Sequence, residues 1–154
     1  MGADLTETTT GKYARDVYIK GDSTTTNAGK LQISTTTIDL NQVAATYLLF
    51  TGTTQSVLIE KLIFRMPNVD ISGGALTSIS IQTDDVTPAV IINDASEGIL
   101  ANLTEEATLS WTGALLIPIG TLIQLTIAGG TAGTACACDI VAESRAVVDG
   151  GYLS

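Results

Sequence analysis

Histidine is absent from this 154-residue chain, charged residues make up only 15% of it and aromatic residues only 5%. Each shortage closes a class of function. Without imidazole there is no Ser-His-Asp or Cys-His unit and no histidine ligand for zinc, so the commonest general base and the commonest transition-metal site are excluded. The seven cations, Lys12, Arg15, Lys20, Lys30, Lys61, Arg65 and Arg145, are outnumbered by sixteen acidic residues, for a formal net charge of −9. A nucleic-acid or anionic-membrane surface needs clustered Lys and Arg, so neither partner is expected. No stretch approaches the ~18–20 consecutive apolar residues of a spanning helix, and the polar start MGADLTETTTGK reads as neither signal peptide nor anchor.

The remaining chemistry is sparse. Asp84/Asp85 and Glu105/Glu106 are adjacent carboxylates, and neighbours along an extended chain point to opposite faces, so neither pair converges on one substrate atom as a glycosidase requires. Asp70, Asp84, Asp85 and Asp94 lie in loops without the D-x-D-x-D-G spacing of a calcium site. Cys136 and Cys138 share one face of a strand, suit a disulfide poorly and have no nearby cation to lower a thiol pKa; they read as small apolar core side chains. No catalytic residue, metal or cofactor is expected, and the chain is not read as an enzyme.

What the sequence does have is the vocabulary of strands and turns: it is 45% hydrophobic and rich in Thr, Ile, Val, Leu and Gly. Thr and Ser fill solvent-facing strand positions without charge, which suits a surface that meets protein as well as water. Residues 1–30 read as an N-terminal arm, in which Thr-rich clusters flank YARDVYIK; Tyr13, Arg15, Val17 and Ile19 alternate with Ala14, Asp16, Tyr18 and Lys20. A lone strand of that length pairs with an edge of its own domain or of a neighbour. Residues 31–148 read as the folded body and 149–154 as a tail that reaches a neighbour or stays loose.

Within the body, Leu31 and Ile33 sit on the opposite parity from Ile38 and Leu40, which implies a bulge or bend between two short strands. Residues 42–50 form a buried strand. Residues 56–66 form another, with Leu62, Phe64 and Met66 inward and a bulge near Glu60–Lys61. Residues 74–83 alternate, a short strand follows Pro88, Ser96 caps one helical turn, and Ala107, Leu109 and Trp111 alternate again. The clearest signal is 114–146, read as a hairpin: Ile119, Thr121, Ile123, Leu125 and Ile127 on one face, a GGTAG loop, then Cys136, Cys138 and Ile140 inward with Asp139 and Glu143 outward. Eight or nine strands and no regular helix make an all-β antiparallel β-sandwich, and the long 84–106 excursion, read as a crossing between sheets, points to a jelly roll.

The stretch IPIGTLIQLTIAGGTAGTACACDIVAES resembles the terminal hairpin of small tailed-bacteriophage virion proteins: an IPIGT turn opens a strand, a Gly/Thr/Ala loop follows, and the last strand ends in polar or charged residues. With the Thr-rich, acidic, histidine-free β body and the arm, the chain is most similar to capsid decoration (cement) proteins. That resemblance implies a virion protein on the capsid surface, assembled in the host cytoplasm, with the major capsid protein as partner and a homotrimer as the oligomer. The residues expected to bind the partner, by adding the arm to a sheet edge, are Tyr13, Arg15, Val17, Tyr18, Ile19 and Lys20. The alternative is a phage fibre or tail component with a receptor- or carbohydrate-binding jelly roll; one Trp, four Tyr and two Phe are few for an aromatic platform.

Overall fold

The computed structural model describes residues 26–154. Within them the chain forms nine strands: β1 (Leu31–Asp39), β2 (Thr46–Thr53), β3 (Val57–Arg65), β4 (Ser78–Thr83), β5 (Val90–Ile92), β6 (Thr108–Ile117), β7 (Leu122–Ala128), β8 (Ala137–Ala146) and β9 (Tyr152–Leu153). One 3-10 turn, Leu100–Asn102, interrupts the β5–β6 connection, and it starts at Ile99 with no side-chain cap; Ser96 instead donates its hydroxyl to Glu97.

The strands form two sheets, ordered β1-β8-β3-β6 and β9-β2-β7-β4-β5, with every named strand pair antiparallel. The protein is therefore an all-β sandwich of two stacked antiparallel sheets. The pairings nest: β1 lies beside β8, β2 beside β7, β3 beside β6 and β4 beside β5. Apart from the β4–β5 hairpin, each strand is followed by one in the other sheet, so nearly every connection crosses the core. The 84–106 excursion holds both kinds of link, the hairpin and then the crossing to β6.

Alternation explains the core. Ile59, Leu62, Phe64, Ile140 and Ala142 from one sheet face Phe50, Ile79, Ile81, Ile123, Leu125 and Ile127 from the other, all buried. Burying an aliphatic or aromatic side chain of this size is worth about 1.5–3 kcal/mol, so these two inner faces are the main source of stability. The expected bulge is present: register shifts between Ile59 and Lys61, which restores Leu62, Phe64 and Met66 to the inward face.

Several expectations are corrected. The 114–146 stretch is not a hairpin, because β7 and β8 lie in different sheets. Both strands do alternate, but their apolar sides face each other across the core. The GGTAG loop makes that crossing and is bound along residues 75–77: Ala75 and Leu76 donate to Thr131 O at 2.8 and 3.0 Å, and Thr77 donates to Ala128 O at 2.9 Å. Gly129, at φ +86°, is needed there, since a Cβ would lie 2.5 Å from Ala75 O.

Residues 31–39 contain no bend either. They form one strand in unbroken register with β8, so Leu31 and Ile33, on the parity opposite to Ile38, face solvent. The buried strand read at 42–50 begins later, at Thr46, and runs on through TGT.

The C-terminal residues are also ordered on the body, where Tyr152 and Leu153 pair with Thr53 and Gly52, and Leu153 is buried. The N-terminal side of β1 is tied to the same region. Asn27 donates to Gly151 O at 3.1 Å and accepts from Gly150 N at 2.6 Å, and Ala28 N donates to Asp149 at 2.7 Å.

Candidate interaction surface

The two outer faces differ in charge. On the five-stranded sheet, cross-strand rows read Thr46–Thr126–Ser80 and Leu48–Gln124–Gln82–Val90. No outward-pointing residue of its five strands is charged, although Asp84 stands at the rim, accepting from Leu122 N at 2.8 Å. Thr46 and Thr126 satisfy each other's hydroxyls at 2.9 Å, and Leu48 is exposed. The four-stranded sheet carries the charges: rows read Leu31–Arg145–Leu58–Leu116, Ile33–Glu143–Lys61–Thr112 and Thr37–Asp139–Arg65–Thr108. There Arg145 pairs with the bulged Glu60 at 3.1 Å and Arg65 with Glu106 at 3.5 Å. Both pairs are partly exposed, so each contributes at most ~1 kcal/mol.

The two open sides of the sandwich also differ. The side bounded by β5 and β6 is closed by loops that send Ile71, Leu76 and Leu103 into the core. At the other, a cleft of about 460 Å³ lies between β1 and β9, lined by Gln32, Ser34 and Thr36 on one wall and Leu49, Phe50 and Leu153 on the other. Ser34 Oγ donates to Leu153 O at 3.1 Å and Gln32 Nε2 to Gly151 O at 2.9 Å, which tie the walls together at one end. On the outer lip Leu31 is 50% exposed and Ile33 57%. The sequence pattern implied a bulge or bend between these two residues and Ile38; without it, their parity relative to Ile38 and Leu40 puts them outward.

Elsewhere the titratable groups are dispersed. Among the described residues no three of Cys, Asp or Glu gather where a metal ion could be held. Asp84/Asp85 and Glu105/Glu106 are exposed loop residues. Asp70 is held below its ordinary value by hydrogen bonds from Ser72, as an Asp turn is; it lines a cleft of about 690 Å³ with Ile71 and Leu103, where Glu105 is the only other charged residue among the described lining residues. Cys136 and Cys138 are buried with sulfurs 3.8 Å apart, and burial pushes both thiols up, Cys138 well above its usual range. The expected partner residues Tyr13, Arg15, Val17, Tyr18, Ile19 and Lys20 lie outside the described residues.

The features that stand out on this sandwich are thus surfaces, one sheet face without charge and one open edge. No protein-family model matches the chain, and no curated protein matches it in sequence. Its fold is similar to that of a chain in the acidic stable capsid structure of Helicobacter pylori bacteriophage KHP30, with a TM-score of 0.53, 10% identity, and 80% of this chain and 92% of that chain covered. It is likewise similar to a chain of the cyanophage Pam1 capsid asymmetric unit, with a TM-score of 0.54, 12% identity, and 86% and 94% covered.

Proposed function

We propose that this chain is a structural protein of a phage virion: a non-enzymatic capsid decoration protein that binds the outer surface of the head and stabilises capsomer junctions. The observation that carries the reading is the likeness to chains of two phage capsid structures over nearly the whole length of both partners. The nested strand pairs β1·β8, β2·β7, β3·β6 and β4·β5 support a jelly roll as the finer architecture. The charge-free face supports contact with protein, because it can be covered without desolvating an ion.

In this reading residues 1–25 form the arm, since Asn27 and Ala28 are already bonded to the body. Tyr13, Arg15, Val17, Tyr18, Ile19 and Lys20 add the arm to an edge of the coat protein or of a neighbouring protomer, and the protein assembles as a trimer.

The test is binding to phage heads assembled without this protein. Full-length chain is expected to co-sediment with heads to saturation and raise the temperature at which they release DNA, and a chain lacking residues 1–25 is expected to keep its circular dichroism but bind far less. Antibody label on tails rather than heads would overturn the decoration reading in favour of a tail component.

A further inference from the structure

We infer that the edge of β1 and the cleft beside it receive residues Tyr13–Lys20 of a second copy of this chain, so that copies are joined by exchanged arms. The inference rests on the reading above that the arm leaves its own body; it adds where the arm goes.

The first ground is the state of the edge. Among the described strands β1 has one neighbour, β8. Leu40 N donates to Cys136 O at 3.0 Å in the same register. That bond sets the alternation, so the even residues of β1 turn their amides and carbonyls to β8 while Ile33, Thr35 and Thr37 turn theirs away from the sheet. Natural sheets guard such an edge with Lys, Pro, a bulge or a covering loop. Among the described residues β1 has none of these: its one charged residue is the terminal Asp39, and its register with β8 is regular throughout.

The second ground is the fit of the segment. A strand added to β1 presents one face beside Leu31 and Ile33 and the other over the cleft, whose far wall is Leu49, Phe50 and Leu153. Tyr13–Lys20 has apolar or aromatic residues on both faces, Tyr13, Val17 and Ile19 on one and Ala14 and Tyr18 on the other. It therefore suits a site with exposed Leu31 and Ile33 on one face and a cleft of mixed polar and apolar lining on the other, and its eight residues match the nine of β1. Charge agrees as well. Glu143 stands opposite Ile33 and Asp139 opposite Thr37, neither in an ion pair among the described residues, while residues 12–22 bring Lys12, Arg15 and Lys20 against Asp16 and Asp22.

The third ground is where the arm starts. It joins the body at Asn27, whose side chain is bonded to Gly150 and Gly151 at the mouth of the cleft. Residues 21–25 span at most about 18 Å when extended, enough to cross a contact between adjacent bodies. If every copy gives an arm and accepts one, the exchange closes with no cleft left open, reciprocally in a two-fold dimer or head-to-tail in a ring.

The same short tether also reaches the chain's own cleft, and the experiment separates the two. Val17→Cys and Thr35→Cys are made in separately tagged full-length chains, co-expressed and oxidised; Cys136 and Cys138 are buried and do not compete. The expected product is a disulfide between chains carrying different tags. Thr35→Pro, whose amide faces away from β8, and Ile33→Lys are expected to keep the thermal midpoint of wild type and to weaken self-association about tenfold or more by sedimentation, about 1.4 kcal/mol. No disulfide between the co-expressed single mutants, together with one formed within a single chain that is made to carry both Val17→Cys and Thr35→Cys, or wild-type assembly in both edge variants, overturns the inference. Head binding is scored in parallel: loss of the inter-chain disulfide with head binding intact overturns arm exchange alone, whereas the disulfide without head binding supports arm exchange and overturns decoration.

Discussion

Gly98 is the residue whose replacement should cost the most for the smallest chemical change. It sits in the crossing from β5 to β6, buried, with its backbone laid along β4: Ile79 N donates to Gly98 O at 2.8 Å and Gly98 N to Asn93 O at 2.8 Å. A Cβ here would lie 1.9 Å from Ile79 O, about 1 Å inside the 3.0 Å that real Cβ contacts respect. Ile79 cannot yield, because β4 is held by β7 on its other side. The crossing must lift instead, and the Ile79 amide loses its partner in a dry site. Overpacking costs about 1–3 kcal/mol and a buried unpaired amide about 1–3 kcal/mol, offset by about 0.4–1 kcal/mol from the stiffer unfolded chain. Gly98→Ala should therefore lose about 2–4 kcal/mol, a fall in thermal midpoint on the order of 10 °C for a domain of this size. Gly73→Ala is the control, since nothing lies within 4 Å of its Cβ and its φ is not positive; it should gain up to about 1 kcal/mol. Urea unfolding followed by circular dichroism and Trp111 fluorescence measures both. A Gly98→Ala chain within about 0.5 kcal/mol of wild type, or a Gly73→Ala chain that falls as far, would refute the close-approach reasoning.

The buried thiols give a second prediction. Burial raises both cysteine pKa values above 9.0 in the folded state, so native protein should not react with a thiol reagent at neutral pH, and stability should be intact below 9.0 and fall as pH rises above it, where only the unfolded chain ionises; rapid labelling of native protein would contradict this. Glu97 gives the acid limb: its carboxyl accepts from Ser96 Oγ at 2.7 Å and Asn93 N at 3.0 Å, and these bonds, the serine first, hold it below 4.5. The 93–97 loop should stay closed above 4.5 and open as pH falls through the lowered value, read by hydrogen exchange at Asn93, and Glu97→Gln should remove that dependence. Ser144 Oγ is fully buried between Gln32 and Ile59 without a partner, so Ser144→Ala should leave the fold intact and raise stability by about 1 kcal/mol; a loss of that size in urea unfolding would show that the hydroxyl is satisfied.

Sequence alternation reports which face a residue occupies, and at β3 that was enough. Val57 and Ile59 share one parity and Leu62, Phe64 and Met66 the other, so one extra residue had to fall between them, and Glu60 is that residue. Alternation carries no information about the partner strand. Ile123–Leu125–Ile127 and Cys138–Ile140–Ala142 look the same whether they pair side by side or face each other across a core, and a glycine-rich link between them imitates a hairpin loop. What separates the cases is contact at long range, the bonds from 75–77 to the GGTAG segment, which no local pattern encodes. The bend expected between Leu31–Ile33 and Ile38 failed for a different reason: it follows from placing every apolar residue inward, and single apolar residues on a surface are ordinary.

That last failure bears on how the molecule is built. Both open sides of a sandwich expose core, and this chain treats them unequally. Beside β5 and β6 the loops at 66–76 and 93–107 are bonded together, Met66 N to Ala107 O at 2.8 Å and Glu106 N to Pro67 O at 3.0 Å, and they bury Ile71, Leu76 and Leu103 over the gap. Beside β1 the described chain spends only the two residues of β9, and one of them, Tyr152, stays exposed. Covering that second side with a further strand would bury the exposed parts of Leu31 and Ile33, satisfy the outward amides of Ile33, Thr35 and Thr37, and set cations near Glu143 and Asp139. An unguarded strand edge on a chain that is 45% hydrophobic is a template for pairing with another strand. The eight-residue segment five residues upstream of Thr26 has the length, the two-faced apolar pattern and the charge to occupy it. Under the proposed exchange, occupation by another copy would turn an aggregation hazard into a closed contact.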